Sequence, residues 1–327
     1  MHFIPRFIIG LATLALAPAA FAQTDPLPSW NNGLTKKVIV DFVTKVTEED
    51  GDDYVPPRDR IAAFDNDGTL WNEKPLYVHF FAVFDHMKRQ MEADPSLKQR
   101  EPYKSLANKD KAYFVDLYEA ASYDTLLGQL IAVPFGGMTT DAYAAWGRDW
   151  LKTWKHPKYK VGVEGLIYQP MLELIRYLDA NDFKVHIFTA DEGAFLRLVS
   201  EELYGIPPER VHGSSVRIEY IAGKDEAQLV RTYQARYLDN WGGKPRLIMQ
   251  ELGKTPLLAG GNSNGDLQML QYTALNGGFS LLLHHTDNER EDAYDSHTDK
   301  VMPLAVEEGW TVIGMKNDWK EVFPPKD

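Results

Sequence analysis

The 327-residue sequence contains no cysteine. Disulfide bonds are therefore excluded as a source of stability, and so is membrane anchoring through a lipid-modified cysteine. A cysteine-free exported chain fits the periplasm of a Gram-negative cell, where cysteines would otherwise tend to pair, but the absence does not fix a compartment by itself.

Basic residues are in the minority, and they form no stretch with interleaved aromatic side chains. The chain has 35 Lys and Arg against 47 Asp and Glu, which gives a net charge of −12. This composition argues against nucleic acid as a partner. An acidic surface repels anionic polymers, so a small substrate is favoured over a large anionic one. Internal repeats and low-complexity tracts are also lacking.

The apolar run at the N-terminus, residues 7–17, is too short to span a bilayer as a stable helix. Arg6 precedes it, and Ala20-Phe21-Ala22 follows it with the small-x-small pattern of a signal-peptidase site. This layout predicts a signal peptide over residues 1–22 and a mature N-terminus at Gln23. We therefore expect a periplasmic or secreted protein without a stable membrane anchor.

Helical periodicity dominates the first half of the remaining chain. Residues 34–46 have helical spacing and are followed, after an acidic loop, by a short apolar strand at residues 60–64. Helical patterns then cover residues 75–93 and 109–130. These patterns predict a mostly helical insert over residues 73–163.

A further helix of this insert is expected to begin at Thr140 or Asp141, both of which are common capping residues. It carries Trp146, Trp150 and Trp154 at four-residue spacing. The simplest interpretation of this stripe is the hydrophobic core of the insert. The alternative is an aromatic wall that stacks on a cationic head group such as choline.

Strands and helices alternate beyond residue 164. The strand patterns cover residues 184–189, 210–212, 216–221, 256–259 and 279–284, and the helical patterns cover residues 170–178, 192–204, 245–252 and 267–272. Such alternation predicts an α/β fold with a doubly wound, mostly parallel sheet, formed by residues 23–72 and 164–327.

Three of the predicted strands end in polar residues. The first is followed by residues 65–69 (DNDGT), the second ends at Thr189, and a later one is followed by residues 260–266 (GGNSNGD). Ligands bind at the carboxyl ends of the strands in a doubly wound sheet. If these strands are parallel neighbours, their polar residues converge on one cleft.

Two carboxylates as close as Asp65 and Asp67 repel each other unless a cation or a shared proton relieves the charge. Mg²⁺ accepts oxygen ligands from carboxylates, amides and backbone carbonyls. Asp65, the Asp67 backbone and Asn262 or Asp266 form such a set. The metal would allow an anionic phosphate to approach, and Asp65 would then attack phosphorus while Asp67 transfers the proton. Thr189 and a lysine would bind the remaining phosphate oxygens.

These four ordered signatures resemble the motifs of the haloacid dehalogenase superfamily, over roughly residues 58–285. The layout is most similar to the branch of phosphoserine-phosphatase-like proteins, which insert a helical cap after the first motif. The resemblance implies a Rossmann-like core and a Mg²⁺-dependent phosphomonoester hydrolase that works through an aspartyl-phosphate intermediate.

By position, Asp65 resembles the nucleophile of the family and Asp67 the general acid and base. Thr189 resembles the phosphate ligand of the second motif, and Gly68 contributes to substrate binding. Asp266 matches the second metal ligand of the fourth motif. Asn262 stands where many relatives have an acidic metal ligand, so we expect weaker metal binding.

The lysine of the third motif has three candidates. Lys244 stands at the start of the helix that leads into the fourth-motif strand, and it is the preferred choice. Lys224 follows the predicted hairpin arm, and Lys254 lies close to the fourth-motif strand. A lysine among these three that does not belong to the third motif is expected to be a solvated surface charge.

Two other functions remain open. A haloacid dehalogenase also uses an aspartate nucleophile, but it needs neither a metal nor Asp67. A catalytically weakened relative would bind a phosphorylated ligand or partner, which Asn262 keeps possible. A metal site at His284 and His285 is not favoured, because adjacent side chains on a strand point to opposite faces.

Overall fold

The computed structural model describes residues 25–110, 112–114, 123–224 and 226–325. The predicted signal peptide lies outside these residues. Within them, no helix combines the length and apolar character needed to cross a membrane.

A seven-stranded sheet forms the centre of the molecule. Its strands are β1 (Ile61–Phe64), β2 (Lys184–Glu192), β3 (Val211–Ala222), β4 (Ala227–Tyr237), β5 (Leu258–Gly261), β6 (Phe279–His284) and β7 (Thr311–Gly314). Their order is β4-β3-β2-β1-β5-β6-β7. The β3–β4 pair is antiparallel and all other pairs are parallel. The predicted α/β fold with a mostly parallel sheet is confirmed.

The two central strands consist of small and apolar residues, because helices cover both faces of a parallel sheet. All four residues of β1 are buried, and so are all four of β5. Phe64 pairs with Gly260, and a side chain at Gly260 would overlap with the Phe64 ring. This register places the ends of β1, β2 and β5 side by side, as the polar strand ends predict.

One described helix precedes β1, and four lie between β1 and residue 163. Helix α1 (Leu34–Thr47) precedes the sheet, and the later ones are α2 (Val78–Ala93), α3 (Tyr103–Ala107), α4 (Tyr123–Ala132) and α5 (Thr140–Thr153). Part of the helix predicted over residues 109–130 lies outside the described residues. The cap of α5 is Thr139, whose hydroxyl accepts a hydrogen bond from the amide of Ala142, so the predicted caps Thr140 and Asp141 are wrong by one or two residues.

The inserted helices have a hydrophobic cluster of their own, which includes Phe80, Met87, Leu130 and Phe135. The tryptophan stripe packs within the protein: Trp150 is buried, and its neighbours on the stripe are half-buried against the main core. The stripe is therefore part of a hydrophobic core, as in the simpler interpretation, but Trp150 belongs to the main core, and Trp146 alone also packs against the cluster of the insert. The domain boundaries at residues 73 and 163 stay a prediction.

The remaining helices flank the sheet. They are α6 (Gln169–Ala180), α7 (Gly193–Leu196), α8 (Ser200–Tyr204), α9 (Gly243–Leu252), α10 (Leu267–Leu275), α11 (Val301–Glu307) and α12 (Met315–Asp318). The helix predicted over residues 192–204 is wrong, since it divides into α7 and α8. The two short strands predicted at 210–212 and 216–221 form the single strand β3, and β4 was not predicted.

Candidate active site

A cleft of about 510 Å³ opens at the carboxyl ends of β1, β2 and β5. Three groups line it: catalytic candidates from the strand ends, aromatic residues, and polar residues of later loops. They include Asp65, Asp67, Thr189, Lys244 and Asp266 from the first group, Tyr77, Phe80 and Trp241 from the second, and Glu73, Asp191, Asn264, Asp295 and Lys300 from the third. The structure therefore brings the predicted strand-end residues to one site.

Lys244 joins the first and fourth motifs. Its ammonium group lies 2.5 Å from Asp65 Oδ1 and 2.7 Å from Asp266 Oδ1, and it also donates to the Phe188 carbonyl at 2.7 Å. An ammonium group has three hydrogens, so all of its donors are used. Lys244 is 1% exposed and stands in the first turn of α9, which packs against β2.

The two rival lysines lie elsewhere. Lys254 binds Asp59 Oδ1 at 2.6 Å on the surface, away from the cleft residues. Lys224 is exposed near the end of the β3–β4 hairpin. Of the three candidates, Lys244 is the one that the structure places beside Asp65.

Negative charge is concentrated on the floor of the cleft. Burial raises the pKa of Asp65 to about 7, the charge of Asp266 adds to this, and Lys244 opposes it. Burial also raises the pKa of Asp67 well above its usual value, with further contributions from Asp191 and Asp65. A raised pKa favours the protonated form of a carboxyl group, which is the form that donates a proton to a leaving group.

A further buried acid, Asp239, lies behind Lys244. Burial raises its pKa to about 8, although the charge of Lys244 acts in the opposite direction. Both of its carboxylate oxygens are buried without a hydrogen-bond partner among the described residues. The site thus contains more carboxyl groups than its lysine can neutralise.

The loop after β1 holds Asp67 in a fixed orientation. Trp71 Nε1 donates a hydrogen bond of 2.8 Å to Asp67 Oδ1, and the Gly68 amide donates to the Trp71 carbonyl at 2.8 Å. Gly68 has φ +74°, which favours glycine. A methyl group there would overlap with the side-chain amide of Asn262. Gly68 itself is not among the residues that line the cleft.

The fourth motif folds around Asp266. Asp266 Oδ2 accepts hydrogen bonds from the amides of Asn262 and Ser263, at 3.0 and 3.1 Å. Asn262 Oδ1 lies 3.0 Å from the Thr69 hydroxyl, while Asn262 Nδ2 is buried and has no hydrogen-bond partner among the described residues. Asn262 therefore lies at the junction of the first and fourth motifs with its oxygen bound by Thr69, and it is not among the residues that line the cleft.

The side chains present fit Mg²⁺, although the described residues contain no cluster of three His, Cys, Asp or Glu with the geometry of a metal site. Asp65, the Asp67 carbonyl, Asn262 and Asp266 are all oxygen donors, and Mg²⁺ commonly keeps several waters and uses few protein ligands. Burial and the charge of Asp266 disfavour the ionised form of Asp65, although Lys244 supports it, and they raise its pKa to about 7. A divalent cation would favour the ionised form.

The second motif contains a residue that the sequence analysis missed. Thr189 is buried, and its hydroxyl accepts a hydrogen bond of 3.1 Å from the Asp191 amide. Asp191 lines the cleft, and its carboxylate lies 2.6 Å from Nδ1 of the fully buried His79. Thr189 and Asp191 are two residues apart, as are Asp65 and Asp67 at the end of the neighbouring strand. This repeated spacing is the sequence pattern that could have identified Asp191.

The two histidines after β6 point apart, as the strand geometry predicts. His284 lies 2.6 Å from Asp295, whereas His285 is buried and contacts Glu291 and the carbonyl of Gly68. The loops that supply Trp241 and residues 295–300 to the cleft carry no sequence pattern that identifies them.

The fold and the site define a hydrolase-like α/β protein with a buried aspartate–lysine pair at the strand ends. The sequence profile of haloacid dehalogenase-like hydrolases matches residues 62–271, which is more than half of the chain. The chain therefore belongs to this family, and the resemblance drawn from its motifs is confirmed. Comparison with curated proteins gives no match.

Three solved structures are similar to this chain at low sequence identity. A conserved protein of unknown function from Anaerococcus prevotii has a TM-score of 0.50 and 15% identity, with 85% of this chain and 91% of that chain covered. A protein of unknown function from Bordetella pertussis has a TM-score of 0.49 and 15% identity, with 79% and 99% covered. A phosphoserine phosphohydrolase-like protein from Francisella tularensis has a TM-score of 0.42 and 16% identity, with 78% and 94% covered. These likenesses concern the fold alone.

We expect Gly68→Ala to destabilise the protein more than Gly205→Ala. Both glycines have positive φ, +74° and +71°, but no atom lies within 4 Å of a methyl group at Gly205. Strain alone should cost Gly205→Ala about 1 to 2 kcal/mol. Overlap with Asn262 should bring the loss for Gly68→Ala to about 2 to 5 kcal/mol. Urea unfolding measures both, and equal losses would show that the loop has room for a side chain.

Proposed function

We propose that this protein is an exported, Mg²⁺-dependent phosphatase that hydrolyses small phosphate monoesters through an aspartyl-phosphate intermediate. The observation that carries the proposal is the contact of Lys244 with both Asp65 and Asp266 in a cleft at the strand ends. It joins a nucleophile, a cation for the phosphate and a metal ligand from three separate motifs. Membership of a hydrolase family supports the reaction class.

The first half of the reaction forms the covalent intermediate. An oxygen of Asp65 attacks phosphorus in line with the leaving alcohol. As the bond from phosphorus to the leaving oxygen breaks, Asp67 donates its proton to that oxygen. The raised pKa of Asp67 favours the protonated form that this step needs. Thr189 donates a hydrogen bond to a non-bridging phosphate oxygen. Lys244 exchanges one of its present acceptors for another of these oxygens and stabilises their negative charge.

The second half regenerates the enzyme. Asp67, now ionised, accepts a proton from a water molecule, whose oxygen attacks phosphorus of the phospho-aspartate. The bond from phosphorus to Asp65 breaks and inorganic phosphate leaves. When bound by Asp65, the Asp67 carbonyl, Asn262 and Asp266, Mg²⁺ would neutralise the phosphate beside the carboxylates. Asn262 has one negative charge less than an aspartate, so metal binding should be weaker than with aspartate at this position.

A second candidate function is a catalytically weakened member of the family that binds a phosphorylated ligand or partner. Asn262, which replaces an acidic metal ligand of many relatives, favours it. A dehalogenase is less consistent with the site, because that reaction has no use for the buried proton donor Asp67. A chromogenic phosphate-ester assay with and without Mg²⁺ separates the phosphatase from the binder.

We expect Asp65→Asn to lower kcat by at least about a thousandfold, because the amide cannot form the phospho-enzyme. Chelation of divalent metal should stop the wild-type enzyme, and added Mg²⁺ should restore it. Asp59→Asn is the control, since Asp59 is bound to Lys254 on the surface. Full activity of the wild-type protein after chelation would contradict the mechanism.

We expect Lys244→Met to lower kcat by about a hundredfold or more, because the phosphate then loses its buried cation. Lys254→Met should leave kcat unchanged, since Lys254 lies outside the cleft. Steady-state kinetics at saturating Mg²⁺ measures both variants. If Lys254→Met were the inactive one, the assignment of the third motif to Lys244 would be wrong.

Export is proposed from the N-terminal sequence. Full-length protein made in a Gram-negative host should be recovered from the periplasm with Gln23 at its N-terminus, as measured by intact mass. Ala22→Arg should block cleavage, because signal peptidase requires small residues at that site. Cytoplasmic protein that retains residues 1–22 would refute this part of the proposal.

A further inference from the structure

A buried hydrogen-bonded group lies behind the loop that carries the two catalytic aspartates. We call it the His285 cluster, and it consists of Asn72, Tyr168, His285 and Glu291. None of the four side chains is more than 2% exposed. They come from the loop after β1, the start of α6 and the segment after β6, and none has a part in the reaction steps above.

His285 connects this cluster to the catalytic loop. Its Nε2 lies 2.8 Å from the carbonyl oxygen of Gly68. A carbonyl accepts hydrogen bonds and cannot donate them, so Nε2 carries the hydrogen. On the other side of the ring, Nδ1 lies 3.0 Å from Glu291 Oε2. The imidazole is therefore held at both nitrogens.

Glu291 is fixed in turn by two further donors. Its Oε1 accepts hydrogen bonds from the Tyr168 hydroxyl at 2.7 Å and from Asn72 Nδ2 at 2.6 Å. Partners of this kind, one contact removed from a functional group, orient histidine rings in other sites and have large effects on function. Here the oriented group is the carbonyl of Gly68, the residue that directly follows Asp67.

Both backbone polar groups of Gly68 are thus bound. The Gly68 amide donates to the Trp71 carbonyl, and the Gly68 carbonyl accepts from His285. Without His285, a buried carbonyl would have no partner, which is unfavourable enough to make the loop rearrange. Asp67 would move with it, and small displacements of a catalytic group lower the rate strongly.

We propose that His285 and Glu291 are positioning residues, which hold the Gly68 carbonyl and thereby place Asp67 for proton transfer. The inference rests on the proposed function for its catalytic consequence. Its structural part, control of the loop at residues 65–72, is independent of the reaction.

The test compares two amides at the same position. In His285→Gln, the side-chain amide reaches about as far as Nε2 and retains a donor for the Gly68 carbonyl. In His285→Asn, the amide reaches only as far as Nδ1, so that carbonyl loses its partner. We expect His285→Asn to lower kcat about 10- to 100-fold with KM within about threefold, and His285→Gln to stay within about threefold in kcat.

His156 provides the matched control. It is 1% exposed, and its Nε2 lies 2.7 Å from the carbonyl of Lys74, outside the catalytic loop. His156→Asn should lower the melting temperature, as His285→Asn does, but change kcat less than about twofold. A role in stability alone predicts the same kinetic result for both Asn variants, and that result would overturn the proposal.

Amide hydrogen exchange gives a readout that does not depend on catalysis. His285→Asn should accelerate exchange in residues 65–72, whereas His156→Asn should not. Unchanged exchange there, or equal losses of kcat in His285→Gln and His285→Asn, would refute the positioning role. If the wild-type protein hydrolyses no phosphate ester, the proposed function fails while exchange still decides this inference.

Tyr168→Phe is the alternative test variant if His285→Asn does not fold. It keeps the ring and removes one donor to Glu291, so we expect a smaller acceleration of exchange in residues 65–72 and a fall in kcat of about threefold or more. Wild-type exchange and wild-type kcat in Tyr168→Phe would then count against the cluster as a positioning device.

Discussion

The pairing of Lys244 with Asp65 and Asp266 is the interaction on which the cleft depends. Three charges are removed from water here, and each is tolerable only because the others are present. The contact requires the end of β1, the start of α9 and the turn after β5 to meet at one point. The strand order β2-β1-β5 satisfies this condition, since it places β5 directly beside β1, the strand that Asp65 follows.

Small residues make this meeting possible. A side chain at Gly260 would overlap with Phe64, and one at Gly261 would overlap with Asp266. The glycine pair at the end of β5 therefore allows the fourth motif to approach both the first strand and its own aspartate. Gly68 has the corresponding function on the other side, where its left-handed backbone brings the loop against Asn262. Close packing therefore explains why glycine is needed at these positions of the motifs.

The sequence predicts the convergence of the strand ends because parallel neighbours bring their carboxyl ends to the same edge, whatever the intervening loops do. It could not predict β4, whose pairing with β3 is antiparallel and whose exposed residues lack a buried face. Nor did it identify Asp191 or the role of His285. Their partners are His79 and the Gly68 carbonyl, which are distant in sequence, so contacts of this kind become visible only in three dimensions.

The state of the carboxyl groups links pH to metal binding. The pKa of Asp65 is raised to about 7 and that of Asp239 to about 8, so without a cation the site takes up protons near neutral pH. The proposed metal ion would stabilise the ionised form of Asp65, so its binding should release the proton of that carboxyl group. An aspartate in place of Asn262 would add another buried charge beside Asp266. Asparagine places an oxygen there without that charge, which lowers the cost of burying the carboxylates of the site and, under the proposed function, would also lower its affinity for the metal.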